Sequence, residues 1–210
     1  MSLKERFYPE SRFGGFSDVD GTIAFYSRVN ALLEPDGVAV DVGCGRGAYG
    51  GDPVAFRRDL RILKGKCRRV IGLDPDPAGA ENPFVDEFRR IEGPEWPVES
   101  GSADLALSDN VLEHVEDPDL FFRECRRILK PGGYLAIRTP NVMSYFGLIS
   151  RLVPNRAHTR VLRQVKDRVA ARDVFPTVYR CNTPGRLRRA LRDHGFDPLV
   201  YGYDAEPAYL

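Results

Sequence analysis

Apolar positions along the chain switch between two spacings. Ile23, Tyr26, Val29, Leu32 and Leu33 recur every three or four residues, which lines one face of a helix. The predicted helix starts at Asp20 or Thr22, either able to cap the first turn, and runs to about Leu33. Pro35-Asp-Gly37 then turns the chain. Val38-Ala-Val-Asp-Val42 is a short, nearly continuous apolar run, the mark of a parallel strand buried on both faces. Similar runs predict strands at Arg69–Asp74, Asp104–Ser108 and Tyr134–Arg138, with a short one at Arg89–Ile91 in an otherwise irregular 77–91. Helical spacing returns at Pro53–Lys64 and Asp117–Leu129. The second of these opens on Asp-Pro and ends at Lys130-Pro-Gly-Gly133. Thr183-Pro opens a last helix to about His194, capped by Gly195, and Pro198–Tyr203 reads as a final strand.

Strands alternating with helices predict an α/β fold, a doubly wound, mostly parallel Rossmann-like sheet with helices on both faces. The 210 residues read as one domain. Residues 1–35 form an arm and the N-terminal helix, 36–140 the core, 141–178 an Arg-rich helical insertion after the fifth strand, and 179–210 the last helix and strand.

Composition narrows the class. Hydrophobic residues make up 42% of the chain, enough for a substantial core, yet no apolar run approaches the roughly 20 residues that span a bilayer. Met1-Ser-Leu-Lys-Glu-Arg is followed by no apolar leader segment. Cys44, Cys67, Cys125 and Cys181 lack metal or disulfide spacing and read as free thiols of a cytoplasmic protein. The net charge of +1 hides an acidic stretch over 74–119 and a basic one over 151–192. The basic stretch suits an anionic small molecule. Without interleaved aromatics it does not read as a nucleic-acid groove.

Ligands of open α/β sheets bind beyond the carboxyl ends of the strands, where strand order reverses. Gly43-Cys-Gly-Arg-Gly47 follows the first predicted strand and is the candidate cradle, since glycine lets backbone approach a ligand closely. One registration, Gly45-Arg-Gly-Ala-Tyr-Gly50 with Asp74 downstream, matches the dinucleotide fingerprint and offers an NAD-linked oxidoreductase. Against it, Gly50-Gly-Asp-Pro53 delays the next helix, so a pyrophosphate would lack a helix N-terminus. Asp18-Val-Asp-Gly-Thr22 matches the D-x-D-G-T signature of the haloacid-dehalogenase phosphatases. Arg12-Phe-Gly-Gly-Phe-Ser17 before it is a poor strand, however, and the aspartates are expected to cap the N-terminal helix instead.

The other registration, Val40-Asp-Val-Gly-Cys-Gly-Arg-Gly47, resembles motif I of the class I S-adenosylmethionine-dependent methyltransferases. Val70-Ile-Gly-Leu-Asp74 looks like their second strand. Ala103-Asp-Leu-Ala-Leu-Ser-Asp-Asn-Val-Leu-Glu-His-Val115 looks like their fourth strand and the segment behind it. Arg126-Arg-Ile-Leu-Lys-Pro-Gly-Gly-Tyr-Leu-Ala-Ile-Arg-Thr-Pro-Asn141 is similar to the helix and fifth strand of ubiquinone/menaquinone-type small-molecule members. The resemblance covers about 38–141. It implies that S-adenosylmethionine binds, leaving S-adenosylhomocysteine as product. Gly43 and Gly45 would pass under the ligand, Asp41 would orient the loop and the cofactor's amino group, and Asp74 would accept the ribose hydroxyls. Pro75 would pack near adenine, and Glu92, with Asp86 as alternative, would read it. Ser108, Asp109 and Asn110 would offer backbone groups beside the methionine. The N-terminal helix would act as a lid, with Tyr26 as gate.

His114 is the candidate base for a hydroxyl or acidic-carbon acceptor. Metal-dependent relatives carry E-x-x-E-H here. Asn110 replaces the first Glu, leaving Glu113 and His114 as a thin ligand set for Mg²⁺, and no metal is expected. Tyr145, Arg156, His158 and Tyr179 are polar candidates for the acceptor pocket. A non-catalytic S-adenosylmethionine-binding module is the alternative reading. The family's sheet ends on an antiparallel strand, and either this sequence is truncated before it or the sheet lacks it; in the latter case a homodimer contact or the insertion is expected to cover the sheet edge.

Overall fold

The computed structural model describes residues 3–143 and 176–203. Five parallel strands form one sheet, β1 (Val38–Val42), β2 (Arg69–Asp74), β3 (Glu87–Arg90), β4 (Ala103–Asp109) and β5 (Leu129–Arg138), in the order β3-β2-β1-β4-β5. The direction of crossover reverses between β1 and β4. Helices α1 (Leu3–Phe7), α2 (Gly21–Ala31), α3 (Ala55–Arg61), α4 (Pro118–Ile128) and α5 (Pro184–Asp193) complete the regular elements, with 3₁₀ turns between them. Most of the predicted insertion, with Tyr145, Arg156 and His158, lies outside the described residues.

Side-chain alternation along each strand divides the core in two. Val38, Val40, Val42, Ile71, Leu73, Leu135 and Ile137 face α4 and α5, where Phe121, Phe122, Cys125, Ile128 and Leu191 meet them. Burial of side chains such as Phe122 and Ile128 contributes about 1.5–3 kcal/mol each. Ala39, Val70, Leu105, Leu107 and Ala136 face the other way, toward Tyr26 and Val29 of α2 and Leu60 of α3. Further along the same parity toward the carboxyl ends of the strands, one step of two beyond Ala39, Leu107 and Ala136 and two steps beyond Val70, stand Asp41, Asp109, Arg138 and Asp74. Alternation alone thus puts three carboxylates and one guanidinium on the face that carries α2 and α3.

Four expectations require correction. The helix predicted over 53–64 is only Ala55–Arg61. Asp52 accepts the Val54 N–H at 2.9 Å, and Arg57 grips the same carboxylate through Nε and Nη2, so the start is held by a polar turn. Lys130-Pro-Gly-Gly133 does not separate α4 from a strand but lies within β5. Leu129 pairs with Ala103, Tyr134 pairs with Leu105, and the intervening residues bulge from the ladder, with Gly132 in left-handed backbone (φ 81°). The short third strand is Glu87–Arg90 rather than 89–91. Pro198–Tyr203 forms no strand. There Arg188 Nη2 donates to the Val200 carbonyl at 2.9 Å, Val200 packs on the core, and Leu199 is 87% exposed.

Candidate active site

The loop after β1 is tied to the end of β2. The N–H groups of Gly43 and Cys44 donate to the Leu73 carbonyl at 2.7 and 3.1 Å, and Asn82 Nδ2 donates to the Cys44 carbonyl at 2.9 Å. Gly43 (φ 77°) packs so closely on Val111 that a Cβ would collide with its methyl groups, whereas Gly45 (φ 51°) has open space where a Cβ would point. Left-handed backbone favours glycine at both positions, but only Gly45 faces room for a ligand. Its N–H donates to Asp74 Oδ2 at 3.0 Å, while Asp74 Oδ1 accepts from Asp76 N at 2.8 Å. Burial pushes the Asp74 carboxyl up, and the two N–H bonds counter part of that shift.

Asp41 is different. No donor among the described residues holds its carboxylate. Burial, with the negative charge of Asp109 added, pushes its pKa up to about 7, and Arg61 opposes the rise. Asp41 and Asp109 sit on adjacent strands with the same parity, which is why they repel.

Across the sheet, Asp109 joins three elements. Arg138 of β5 donates to it twice, from Nε at 2.6 Å and Nη2 at 2.7 Å, and Tyr26 of α2 donates its hydroxyl at 2.9 Å. Arg138 Nη1 reaches on to Thr22 Oγ1 at 2.8 Å. Tyr26 is 4% exposed, and burial first, then the Asp109 charge, drives its hydroxyl well above the ordinary tyrosine range. It shares a buried cluster with Cys44 of the glycine loop. Asp20 caps α2, accepting from Thr22 N and Ile23 N, and takes Arg57 Nη1 on its other oxygen. Asp18 is exposed. The D-x-D-G-T stretch is therefore a helix cap anchored to the neighbouring helix.

The remaining predicted residues are scattered. Pro75 is exposed and its carbonyl accepts from Arg90. Glu92, just past β3, is exposed and lies 3.5 Å from Arg90. Asp86 sits at the opposite end of the sheet, accepting from Val70 N at the start of β2. Ser108 is sealed in the ladder opposite Ile137, and Asn110 is exposed in left-handed backbone (φ 56°). His114 and Glu113 do not turn toward a common point. His114 Nδ1 bonds the Pro176 carbonyl at 2.8 Å, and buried Glu113 accepts from Thr139 Oγ1 at 3.0 Å. The Glu113 carbonyl takes the N–H groups of Val178 and Tyr179, so the returning chain lies across 113–114. Behind the glycine loop a 3₁₀ turn (Ala48–Gly51) precedes α3. No α-helix opens directly on the loop, so the dinucleotide registration lacks its phosphate-binding N-terminus.

Sequence reasoning missed Arg61, Arg138 and Asn82. Arg138 carried a signal, a charge ending an otherwise apolar strand. Arg61 and Asn82 carried none, because their positions depend on where a short helix and an irregular turn come to rest.

Residues 18–201 match the family model of a methyltransferase domain. A Mycolicibacterium smegmatis protein named as a probable S-adenosylmethionine-dependent methyltransferase is 38% identical over 129 residues, 59% of this chain and 45% of its own length. A Rhizobium etli ubiquinone biosynthesis O-methyltransferase is 30% identical over 102 residues, 49% of this chain and 40% of its own. This chain thus spans less than half the length of the curated relatives it matches. A solved S-adenosylmethionine-dependent methyltransferase of Thermotoga maritima superposes with a TM-score of 0.53 at 22% identity, over 92% of this chain and 76% of that one.

Proposed function

The chain belongs to the methyltransferase-domain family, and from that membership we propose that it binds S-adenosylmethionine beyond the ends of β1, β2 and β4 and methylates a small molecule. The observation that carries the reading is the bond from Gly45 N–H to Asp74 Oδ2, with open space at Gly45. It places a glycine loop and a strand-end acid side by side, next to the crossover reversal.

The residues fit that cofactor. Asp74 takes one N–H on each oxygen, and its remaining lone pairs suit vicinal ribose hydroxyls. Asp41 lacks a donor, and a cationic ligand would lower its raised pKa by supplying the opposite charge. Gly45 would carry the loop beneath the ligand, with Gly43 packed on Val111 behind it. Pro75 and Glu92 would stand on the adenine side, and Asn110 and the neighbouring backbone on the methionine side. Tyr26 would close the site from α2.

When bound, the cofactor supplies an electrophilic methyl on a sulfonium whose neutral thioether leaves without a proton. The protein's contribution is alignment and exclusion of water. Where the acceptor is a hydroxyl, His114 would take its proton. The Nδ1 bond to Pro176 fixes one tautomer and puts the ring lone pair on Nε2. A His114→Gln variant that keeps the wild-type rate on a hydroxyl acceptor removes this role. Arg186, Arg189 and Arg192 are exposed, and their charge favours an anionic acceptor, with a sugar-type acceptor as the alternative.

Calorimetry of the full chain with S-adenosylmethionine and S-adenosylhomocysteine tests the cofactor. Asp74→Ala should weaken binding by about 1–3 kcal/mol, as expected for lost hydrogen bonds to a charged group. No binding of either compound by folded protein at millimolar concentration refutes the proposal. A screen for methylated products with labelled cofactor separates an enzyme from a module that only binds.

A further inference from the structure

Arg61 ends α3, its guanidinium 4.8 Å from the ring centroid of Tyr49 and 5.7 Å from that of Tyr26. Its Nε is buried and has no hydrogen-bond partner among the described residues, an arrangement that costs about 1–3 kcal/mol unless something fills it. The contact of Nη2 with Asp109 Oδ2, at 3.8 Å, is too long for a hydrogen bond. Asp109 is already engaged by Arg138 and Tyr26. The Arg61 charge acts on Asp41, whose carboxylate is likewise without a hydrogen bond among the described residues. A cation and an anion therefore face the same strand ends without pairing to each other. The two tyrosine rings hold the guanidinium plane, which leaves its fork of donors in a fixed orientation.

Resting on the cofactor reading, we propose that Arg61 binds the α-carboxylate of S-adenosylmethionine, across from the ammonium assigned to Asp41. A zwitterionic amino-acid end supplies both missing partners at once, an acceptor for the fork and a donor for the carboxylate. A ligand without a carboxylate would leave Arg61 Nε as bare as it is now.

Isothermal titration of the full chain with S-adenosylhomocysteine, its decarboxylated analogue and 5′-methylthioadenosine tests this by binding alone. Wild type should bind S-adenosylhomocysteine about tenfold or more tighter than the decarboxylated analogue, the scale of one charge-assisted hydrogen bond. Arg61→Gln should lose about tenfold toward S-adenosylhomocysteine and stay within about twofold for 5′-methylthioadenosine, which has no amino-acid end. Arg61→Lys should fall between, keeping the charge and losing the fork. Equal weakening of both ligands by Arg61→Gln would make Arg61 a structural residue and overturn the assignment. So would equal wild-type affinity for S-adenosylhomocysteine and its decarboxylated analogue, a comparison that stands even if the variants fail to fold. If wild type binds neither S-adenosylhomocysteine nor 5′-methylthioadenosine, the cofactor reading itself falls and takes this assignment with it.

Discussion

The two flanks of the site are held together by different means. At the ends of β1 and β2, backbone N–H groups of Gly43, Cys44 and Gly45 bond to Leu73 and Asp74. At the ends of β4 and β5, side chains make the links. Tyr26 and Asp109 are 83 positions apart in the chain, and Arg138 and Thr22 are 116 apart. The first flank depends on what backbone geometry glycine allows. The second depends on charges placed in register by strand alternation and then cross-linked by a helix from the start of the chain. A backbone-built flank tolerates changes of side chain that leave φ and space alone, whereas a charge-built flank fails when either partner goes.

The sharpest break falls on the charged flank. Arg138→Ala leaves Asp109 nearly buried without its bidentate partner, and removing one member of such a pair costs about 3 kcal/mol. Urea denaturation should show that loss, and hydrogen exchange should show α2 opening more readily. A change below about 1 kcal/mol would mean that Arg138 does not hold the helix.

The glycine flank divides next. Gly43→Ala adds a Cβ against Val111 in left-handed backbone and should cost about 2–3 kcal/mol. Gly45→Ala meets open space, carries only the backbone cost of about 1 kcal/mol, and should nevertheless lose most of its affinity for S-adenosylhomocysteine. Equal stability losses at the two positions, or unchanged ligand affinity in Gly45→Ala, would erase the distinction between a packing glycine and a ligand-facing one.

The test at Asp41 is the most diagnostic. Burial raises the Asp41 pKa to about 7 from its ordinary 3.8. The native state thus keeps a proton that the unfolded chain has released, and stability falls as pH rises between those values. Asp41→Asn removes that penalty. The variant should be more stable than wild type at pH 8, with a much smaller gain at pH 4.5, while binding S-adenosylmethionine more weakly. Equal gains at both pH values would deny Asp41 a raised pKa.

The same division separates what was legible in the sequence from what was not. β1 and β2 match their predicted bounds at Val38–Val42 and Arg69–Asp74, because continuous apolar runs have few alternatives to a doubly buried parallel strand. Asp20 capping α2 and Asp117 capping α4 were equally local. Pro198–Tyr203 misled because its apolar and aromatic run fits a strand, yet Arg188 takes the Val200 carbonyl. Lys130-Pro-Gly-Gly133 misled because a helix-stop signal can also be a bulge once a neighbouring strand pairs on either side of it.

The sequence by itself determined the class of sheet, the order of its elements, the glycine loop and the acids at the strand ends. Each of these rests on local preference or on a two-residue period that needs no partner. Tertiary structure alone decided that Arg138 and Tyr26 meet on Asp109, that the Arg61 guanidinium lies over the rings of Tyr49 and Tyr26, and that Gly43 packs while Gly45 stays open. Those facts join residues dozens of positions apart, and only the pairing of the strands and the packing of α2 and α3 against the sheet bring them within contact.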